Sequence, residues 1–255
     1  MIWNPDIYNE YKSKRAEPFY DAMKLIRVGS GMKVIDLGCG TGELTVELNK
    51  YLPGSKVLGI DSSAEMLQNQ ITTETGDLSF RIRSIEEQLV RDEKFDLVFS
   101  NAALQWLPDH LILFPRILNM LNPGGQLIVQ MPAQSANITN FLLEELASQP
   151  PFKDILKDWT RQSPVKGTET YAKLFYEKGG KDLQVIEKIY PLIMKDAGEL
   201  FNWVSGTALL PYLDRLDAGH RSLFSDAYKR QLAEHFSSDP VFYPFKRILL
   251  SAVFP

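Results

Sequence analysis

The fold of this chain is decided by residues 33–43, which read KVIDLGCGTGE. Residues 33–37 form a short apolar, β-branched run that is typical of a buried strand, and a helical pattern opens at Glu43 and continues to Leu52. A glycine-rich turn between a strand and a helix is the place where open α/β sheets bind ligands. The stretch therefore predicts a strand, a ligand-binding turn and a helix.

Similar strand-like runs recur after this stretch, separated by intervals of helical length. The predicted strands are Lys33–Leu37, Lys56–Ile60, Leu78–Ile82, Phe95–Phe99, Gln126–Gln130, Leu183–Tyr190 and Ile248–Phe254. Strands that alternate with helices are typical of βαβ units. We therefore predict an α/β fold with a doubly wound, mostly parallel, seven-stranded sheet.

The predicted helices divide the rest of the chain. They are Pro18–Val28, Glu43–Leu52, Leu111–Leu121, Thr139–Ala147, Thr168–Glu177 and Ala197–Phe236. The pair Gly124-Gly125 after Asn122-Pro123 is expected to turn the chain into the fifth strand. We predict one domain, 1–255, with a helical segment at 1–30, a cofactor-binding core at 31–132, and a region at 133–255 that completes the sheet and inserts a helical lid, about residues 191–240, before the last strand.

Composition narrows the function. The formal charge of −4 argues against a nucleic-acid-binding surface, and no run of about 20 apolar residues indicates a membrane span. The single Cys39 and three scattered histidines do not have the spacing of a metal site. We expect a cytoplasmic protein with a small-molecule partner and no metal, nucleic acid or membrane. Its oligomeric state stays open.

The glycine turn discriminates between cofactors. Gly38, Gly40 and Gly42 allow the backbone to approach a ligand closely. In the dinucleotide fingerprint a third glycine would stand where this chain has Glu43, and that carboxylate would face a pyrophosphate. S-adenosylmethionine has no phosphate and carries a cationic sulfonium, so Asp36 and Glu43 favour it over a nicotinamide dinucleotide.

The second predicted strand leads into Asp61 and Ser62, followed by a helix through Met66. An acidic residue ~20 positions after the glycine turn suits contact with ribose hydroxyls, and Met66 is positioned to contact adenine. Asp61 is equally suited to cap the next helix. Both roles remain open at this stage.

Several segments resemble the trans-aconitate methyltransferase family. The resemblance is carried by WNP at 3–5, the glycine turn, GIDSSAEML at 59–67, SNAALQWLPDH at 100–110, LNPGG at 121–125 and VQMP at 129–132. It implies a Rossmann-like methyltransferase that uses S-adenosylmethionine to esterify a carboxylate of a small unsaturated polycarboxylic acid. The cofactor contacts that it implies are Asp36, Gly38, Gly40, Gly42, Asp61, Ser62, Met66, Ser84, Ile85 and Asn101, with Ser84 replacing a usual acidic residue.

The acceptor stays open among small organic acids. The resemblance implies arginines where this chain has Glu17 and Leu210, so a polyanionic acid would lose two partners. The remaining cationic candidates are Arg15, Arg161, Lys166, Arg215 and Arg247.

Methyl transfer to a carboxylate does not require a special base, because a carboxylic acid is already ionised at neutral pH. The catalytic candidates are Trp106, His110 and Tyr8, with His110 also suited simply to start a helix. Three alternatives remain. The first is a methyltransferase similar to the malonyl carrier-protein O-methyltransferase of biotin synthesis, and the second is another small-molecule methyltransferase. The third is a non-catalytic protein that binds S-adenosylmethionine as a regulatory ligand.

Overall fold

The computed structural model describes residues 16–68 and 75–255, which divide into two compact units. The first unit contains Met1–Pro132, Lys166–Lys188 and Arg247–Pro255, and the second contains Ala133–Val165 and Ile189–Lys246. The predicted lid region belongs to the second unit, together with residues 133–165. The two units are described separately below.

A seven-stranded sheet has the order β3-β2-β1-β4-β5-β7-β6, and its residues belong to the first unit except for 189–194 and 241–246. The strands are β1 Lys33–Leu37, β2 Lys56–Asp61, β3 Leu78–Ile82, β4 Phe95–Asn101, β5 Leu121–Pro132, β6 Lys181–Met194 and β7 Val241–Val253. Strands β1 to β5 pair in parallel, and β7 pairs antiparallel with β5. The predicted doubly wound, mostly parallel seven-stranded sheet is confirmed.

The helices of the first unit lie between these strands. They are α1, whose described part is 16–23, α2 Glu43–Tyr51, α3 Ala64–Leu67, α4 Ile85–Gln88, α5 His110–Leu118 and α8 Thr168–Glu177. Four of the five residues of β1 are buried, as expected for a parallel strand that is covered on both faces. The Phe19 ring of α1 meets the Phe99 ring of β4 edge-on at 5.5 Å, within the hydrophobic core.

The second unit is mainly helical. Its helices are α6 Ile138–Ala147, α7 Phe152–Ile155, α9 Ala197–Ser205, α10 Leu210–Leu213 and α11 Ala218–His235. The Tyr228 hydroxyl of α11 donates to the Thr139 carbonyl of α6 at 2.9 Å. The Tyr212 and Phe224 rings stack with their centroids 5.5 Å apart. Buried aromatic side chains therefore hold these helices together.

Three helix predictions were wrong in their bounds, and the first of them is Pro18–Val28, because α1 ends at Met23. The single helix predicted at Ala197–Phe236 is three helices, because Gly206 ends α9 and Asp217 starts α11 by accepting a hydrogen bond from the His220 N–H. Helix α5 ends at Leu118 rather than Leu121. The chain enters β5 directly, with a shift in its pairing to β4 and a left-handed Gly124 at φ 79°. Within the described residues, no helix is both long enough and apolar enough to cross a bilayer.

Candidate cofactor site

The carboxyl ends of β3, β2, β1 and β4 meet at one edge of the sheet in the first unit. The loop after β1 is fastened to the neighbouring strand, because the N–H groups of Gly38 and Cys39 both donate to the Ile60 carbonyl at 2.9 Å. The loop then turns on itself through a hydrogen bond from the Gly42 N–H to the Cys39 carbonyl at 3.0 Å. Its conformation is thus fixed by backbone hydrogen bonds.

Two of the glycines are required for different reasons. At Gly38 a Cβ atom would lie 2.3 Å from the Cβ of Ala103, so only glycine allows the segment after β4 to approach the loop. Gly40 has φ +57°, and a Cβ there would meet no atom within 4 Å among the described residues. The backbone at Gly40 therefore borders open space, which leaves room for a ligand against the loop.

Asp61 links this loop to the segment after β2. Its Oδ2 accepts the Gly40 N–H at 2.8 Å, and its Oδ1 accepts the Ser63 N–H at 2.9 Å. The cap of α3 is Ser63, whose hydroxyl oxygen accepts the Met66 N–H at 3.1 Å. Asp61 is therefore not the residue that caps α3. Each carboxylate oxygen has more than one lone pair and keeps acceptor capacity toward a ligand hydroxyl.

Asp36 is a buried carboxyl group at the end of β1. Its residue is 3 % exposed, and Oδ2 accepts the Thr45 hydroxyl at 2.6 Å. Within the described chain Oδ1 has no hydrogen-bond partner. Burial raises the pKa of Asp36 to about 7, against the opposing effect of the Thr45 hydrogen bond, and the charge of Asp61 raises it further. A cationic ligand would favour the ionised form of this carboxyl group.

The end of β3 brings Ser84 and Ile85 to the same edge. Ser84 begins α4 through a capping box: its hydroxyl accepts the Glu87 N–H at 3.1 Å, and its own N–H donates to the Glu87 carboxylate at 2.8 Å. Ile85 is buried, and its Cδ1 lies 3.9 Å from the position of a Cβ on Gly38. Ser84 thus sets the start of α4, while Ile85 supplies apolar surface next to the loop.

The segment after β4 is strained and partly open. Ala102 has φ 54°, an uncommon value for a residue with a Cβ. The Oδ1 atom of Asn101 is buried, with no hydrogen-bond partner within residues 16–68 and 75–255. Trp106 follows in a short 3₁₀ turn and is 51 % exposed. Met66, from the segment after β2, is 50 % exposed. The edge therefore combines polar atoms with exposed apolar surface.

His110 begins α5, as one of its two predicted roles required, and it is fully buried. Its Nδ1 is hydrogen-bonded to the Tyr171 hydroxyl, and its Nε2 lies 3.0 Å from the Leu104 carbonyl. The Tyr171 oxygen also accepts the Lys166 N–H at 3.0 Å. Because a carbonyl can only accept, Nε2 carries the proton and Nδ1 accepts from Tyr171. Both ring nitrogens are engaged, so the geometry supports a structural role for His110.

Other candidates lie elsewhere. Tyr8 and Arg15 are outside the described residues. Glu17 is exposed, with its Oε1 3.9 Å from the Nζ of Lys188. Leu210 begins α10 in the second unit. The second unit also contains Arg161 and Arg215, and the Arg215 guanidinium stacks 3.7 Å from the centroid of the Trp159 ring.

Residue-by-residue reading of the sequence missed three polar groups at this edge: Thr45, Ser63 and Gln105. Thr45 lies in the first turn of α2 and reaches back to Asp36, while Ser63 caps α3. Gln105 is buried and donates to the Ala102 carbonyl at 2.6 Å. A Ser before a short apolar helix is a recognisable cap signal. No local signal identifies the contact of Thr45 with Asp36, because it depends on how α2 folds back on the sheet, whereas the Gln105 contact is local, with a carbonyl three residues earlier.

Comparisons with known proteins identify the family to which the chain is similar. Residues 29–188 match the family model described as "Methyltransferase domain". The chain is 40 % identical to the trans-aconitate 2-methyltransferase of Deinococcus radiodurans, covering 100 % of this chain and 99 % of the relative. It is 31 % identical to the enzyme of that name from Variovorax paradoxus, covering 98 % and 95 % of the two chains.

Solved structures share the fold at low sequence identity. Haemonchus contortus phosphoethanolamine N-methyltransferase 2 in complex with S-adenosyl-L-methionine aligns with a TM-score of 0.56 and 18 % identity, over 94 % of this chain and 52 % of that one. An S-adenosylmethionine-dependent methyltransferase from Mesorhizobium loti aligns with a TM-score of 0.51 and 16 % identity, over 94 % and 99 %. These alignments confirm the methyltransferase-like fold of the chain.

Proposed function

The chain belongs to the S-adenosylmethionine-dependent methyltransferases of the trans-aconitate 2-methyltransferase family, and from this membership we propose that it esterifies one carboxylate of trans-aconitate. The products are a monomethyl ester and S-adenosylhomocysteine. The observation that carries the proposal is the acidic character of the glycine-loop edge, where Asp36 of β1 is buried and Asp61, at the end of the adjacent β2, is partly buried.

The donor site fits a cationic cofactor without phosphate. The Oδ1 of Asp36, which has no hydrogen-bond partner among the described residues, can accept from the ammonium group of the cofactor, and Asp61 can accept from its ribose hydroxyls. Glu43 stands in the first turn of α2, where a pyrophosphate would meet like charge. We propose that the cofactor is held by Asp36, Gly38, Gly40, Gly42, Asp61, Ser62, Met66, Ser84, Ile85 and Asn101.

Within this set the apolar side chains have a distinct role. Met66 and Ile85 come from the segments after β2 and β3 and would enclose the adenine ring. Ser84 would contribute through its backbone position, because its hydroxyl already caps α4. Where the family usually has an acidic residue, this chain has Ser84, whose side chain caps α4.

When bound, S-adenosylmethionine supplies an electrophilic methyl group, which leaves sulfur as the carboxylate oxygen forms the new C–O bond. The residues of this chain contribute orientation and exclusion of water, which can lower a barrier by about 7–11 kcal/mol. No residue needs to remove a proton, since a carboxylic acid with an unperturbed pKa of about 4 is ionised at neutral pH. The buried, fully hydrogen-bonded His110 is consistent with a reaction that lacks a general base.

Trp106 is the best placed of the three catalytic candidates. It lies in the 3₁₀ turn that follows β4, five residues after Asn101 in the chain, and is half-exposed. We propose that its ring borders the acceptor and keeps water away from the reacting carboxylate. Tyr8 stays a candidate outside the described residues.

The test is direct methyl transfer with a deuterated donor. The purified protein is incubated with methyl-labelled S-adenosylmethionine and trans-aconitate, cis-aconitate, citrate, itaconate or malonyl carrier protein, and ester and S-adenosylhomocysteine are followed by mass spectrometry. Labelled trans-aconitate monoester supports the proposal. Methylation of malonyl carrier protein alone would replace trans-aconitate as acceptor, and cofactor binding with no product from any acceptor would favour a regulatory binding protein.

A further inference from the structure

A row of polar side chains crosses three adjacent strands of the first unit on the side of β4 away from the acidic loop. Asn101 of β4 is paired in register with Gln130 of β5, and Pro132 of β5 is paired with Arg247 of β7. Residues two apart on a strand point to the same face of the sheet. Asn101, Gln130 and Arg247 therefore share one face at the carboxyl end of the parallel strands. We call these three residues the amide–arginine row.

Two of the three residues in the row are buried, which is unusual for long polar side chains. Gln130 is 0 % exposed, and Arg247 is 8 % exposed. The Arg247 Nη2 donates to the Gln130 Oε1 at 2.9 Å. A buried guanidinium is costly unless charge and hydrogen bonds compensate it. One of these hydrogen bonds goes to Gln130, so the amide and the guanidinium form a hydrogen-bonded pair at this end of the sheet.

The amide of Gln130 is oriented by this contact and left with unused donors. Because Oε1 accepts from Arg247, the Nε2 group points elsewhere, and within the described residues it has no hydrogen-bond partner. Buried side-chain amides are normally satisfied, so an unsatisfied one is a position that can bind an acceptor atom of a ligand. The ligand group must accept hydrogen bonds and suit a neighbouring cation. A carboxylate meets both conditions because it is acceptor-only and negatively charged.

The place of the row in the sheet matches the reaction. In the order β2-β1-β4-β5-β7, the carboxyl groups of Asp61 and Asp36 are on the first two strands, and the row begins on β4. The site therefore has an acidic side that suits a cationic donor, and a side with amide and guanidinium donors that suits an anionic acceptor. Asn101 lies between them and is partly exposed, so the buried row is continuous with the open edge.

We propose that Gln130 and Arg247 bind a non-reacting carboxylate of the acceptor acid and thereby select polycarboxylates. This inference rests on the function proposed above. It also assigns the acceptor charge recognition to the first unit, on strands β5 and β7, rather than to positions 17 and 210, where this chain has Glu17 and Leu210.

The decisive variant is Gln130→Glu, which keeps the size of the side chain and its contact with Arg247 but places a second negative charge against the acceptor. We expect the KM for trans-aconitate to rise by about 30-fold or more, with kcat and the Kd for S-adenosylhomocysteine changed by less than about threefold. Gln130→Met, which removes the amide without adding charge, should raise KM by about tenfold. Arg247→Lys keeps the charge and should fall between the wild type and Gln130→Glu.

Gln126 provides a matched control on the same face of β5. It is also buried, but its amide is satisfied by the Leu25 carbonyl and the Ser251 hydroxyl at the opposite end of the strand. Gln126→Glu should lower the Tm and leave the KM for trans-aconitate within about threefold of the wild type. A purely structural role for Gln130 predicts the same behaviour as Gln126.

The outcomes separate this inference from the proposed function. If the wild type esterifies trans-aconitate but Gln130→Glu and Gln130→Met keep its KM, the amide–arginine row does not bind the acceptor and the inference is wrong, while the function stands. If the wild type esterifies no acid, the proposed function itself fails. Should Gln130→Glu not fold, the Gln130→Met and Arg247→Lys variants decide the question by the same KM measurement.

Discussion

The backbone N–H of Gly40 lies 2.8 Å from Oδ2 of Asp61, so the carboxylate at the end of β2 holds the glycine loop that follows β1. The other oxygen of Asp61 accepts the Ser63 N–H at 2.9 Å and fixes the approach to α3. One side chain therefore positions both segments that are proposed to contact the cofactor. Its role in binding can be tested separately from its role in the fold.

Asp61→Asn should weaken S-adenosylhomocysteine binding by about 10- to 100-fold, because the amide removes the charge and turns one acceptor into a donor that faces a backbone N–H. Isothermal titration calorimetry measures the Kd. Asp96→Asn is the matched control, since Asp96 also accepts a backbone N–H, that of Lys33, at 2.8 Å, but at the start of the strands. Equal losses of affinity in the two variants would show that Asp61 acts only through the fold.

Asp36→Asn should change how stability depends on pH. Burial raises the pKa of Asp36 to about 7, so the folded state favours the protonated form. The corresponding stabilisation is fully present below the unfolded pKa of about 4 and is lost as pH rises through about 7, by at most about 4 kcal/mol. Urea unfolding from pH 4 to 8 should show a flatter profile for the variant. A variant profile parallel to that of the wild type would contradict the assignment.

The same variant should bind the cofactor less well. A cationic ligand favours ionised Asp36, so binding to the wild type near pH 6 should release protons, while binding to Asp36→Asn should release fewer. Calorimetry of S-adenosylmethionine binding in buffers of different ionisation enthalpy measures this release directly. Identical proton release in both proteins would exclude Asp36 as the titrating group.

Gly38→Ala and Gly40→Ala should separate packing from ligand access. The Gly38 variant places its Cβ 2.3 Å from that of Ala103, in addition to the cost of a positive φ, and should lose about 3 kcal/mol of unfolding free energy. The Gly40 variant meets only the φ cost, about 1 kcal/mol, but projects a methyl group into the open face. We expect it to lose cofactor affinity out of proportion to its stability. Urea unfolding and calorimetry together distinguish the two, and equal stability losses would refute the packing argument.

Tyr171→Phe should destabilise the first unit by about 2–4 kcal/mol, because it leaves the Lys166 N–H and the Nδ1 of His110 without their buried partner. Tyr176→Phe on the same helix is the control, since Tyr176 is exposed and its substitution should change stability by less than about 0.5 kcal/mol. Thermal and urea unfolding provide the comparison. Similar effects at both positions would show that the buried hydrogen bonds contribute little.

His110 provides a related pH test. Burial lowers the pKa of His110, so the folded state favours the neutral ring. The stability held by this residue is present above the unfolded pKa of about 6.5 and is lost as the pH falls below it. His110→Gln should therefore remove part of the loss of unfolding free energy between pH 7 and 5. An unchanged slope over that range would argue that His110 does not titrate on unfolding.

Much of the first unit could be predicted from local sequence. The bounds of the strands Lys33–Leu37 and Leu78–Ile82 and of the helix α8, Thr168–Glu177, were predicted correctly. The reason is that the buried faces of a strand or helix determine the spacing of its apolar residues along the sequence. The glycine pattern and the acidic residue at position 61 also identify the cofactor class, since steric access and charge sign are properties of single residues. Helix interruptions such as that at Gly206 were missed, because helical periodicity continues across a short turn.

What only the tertiary structure decided is which distant residues meet. In the local sequence Asp36 is only an acidic residue near the end of a strand, but its burial, its contact with Thr45 and its raised pKa exist only once α2 folds back on the sheet. Gln130 and Arg247 are separated by more than a hundred residues, and they become neighbours because β7 returns antiparallel beside β5. Sequence determines which strands and loops form, through local burial patterns and backbone freedom. The pairing of those strands determines the electrostatics, because charge interactions and desolvation depend on distances in space rather than along the chain.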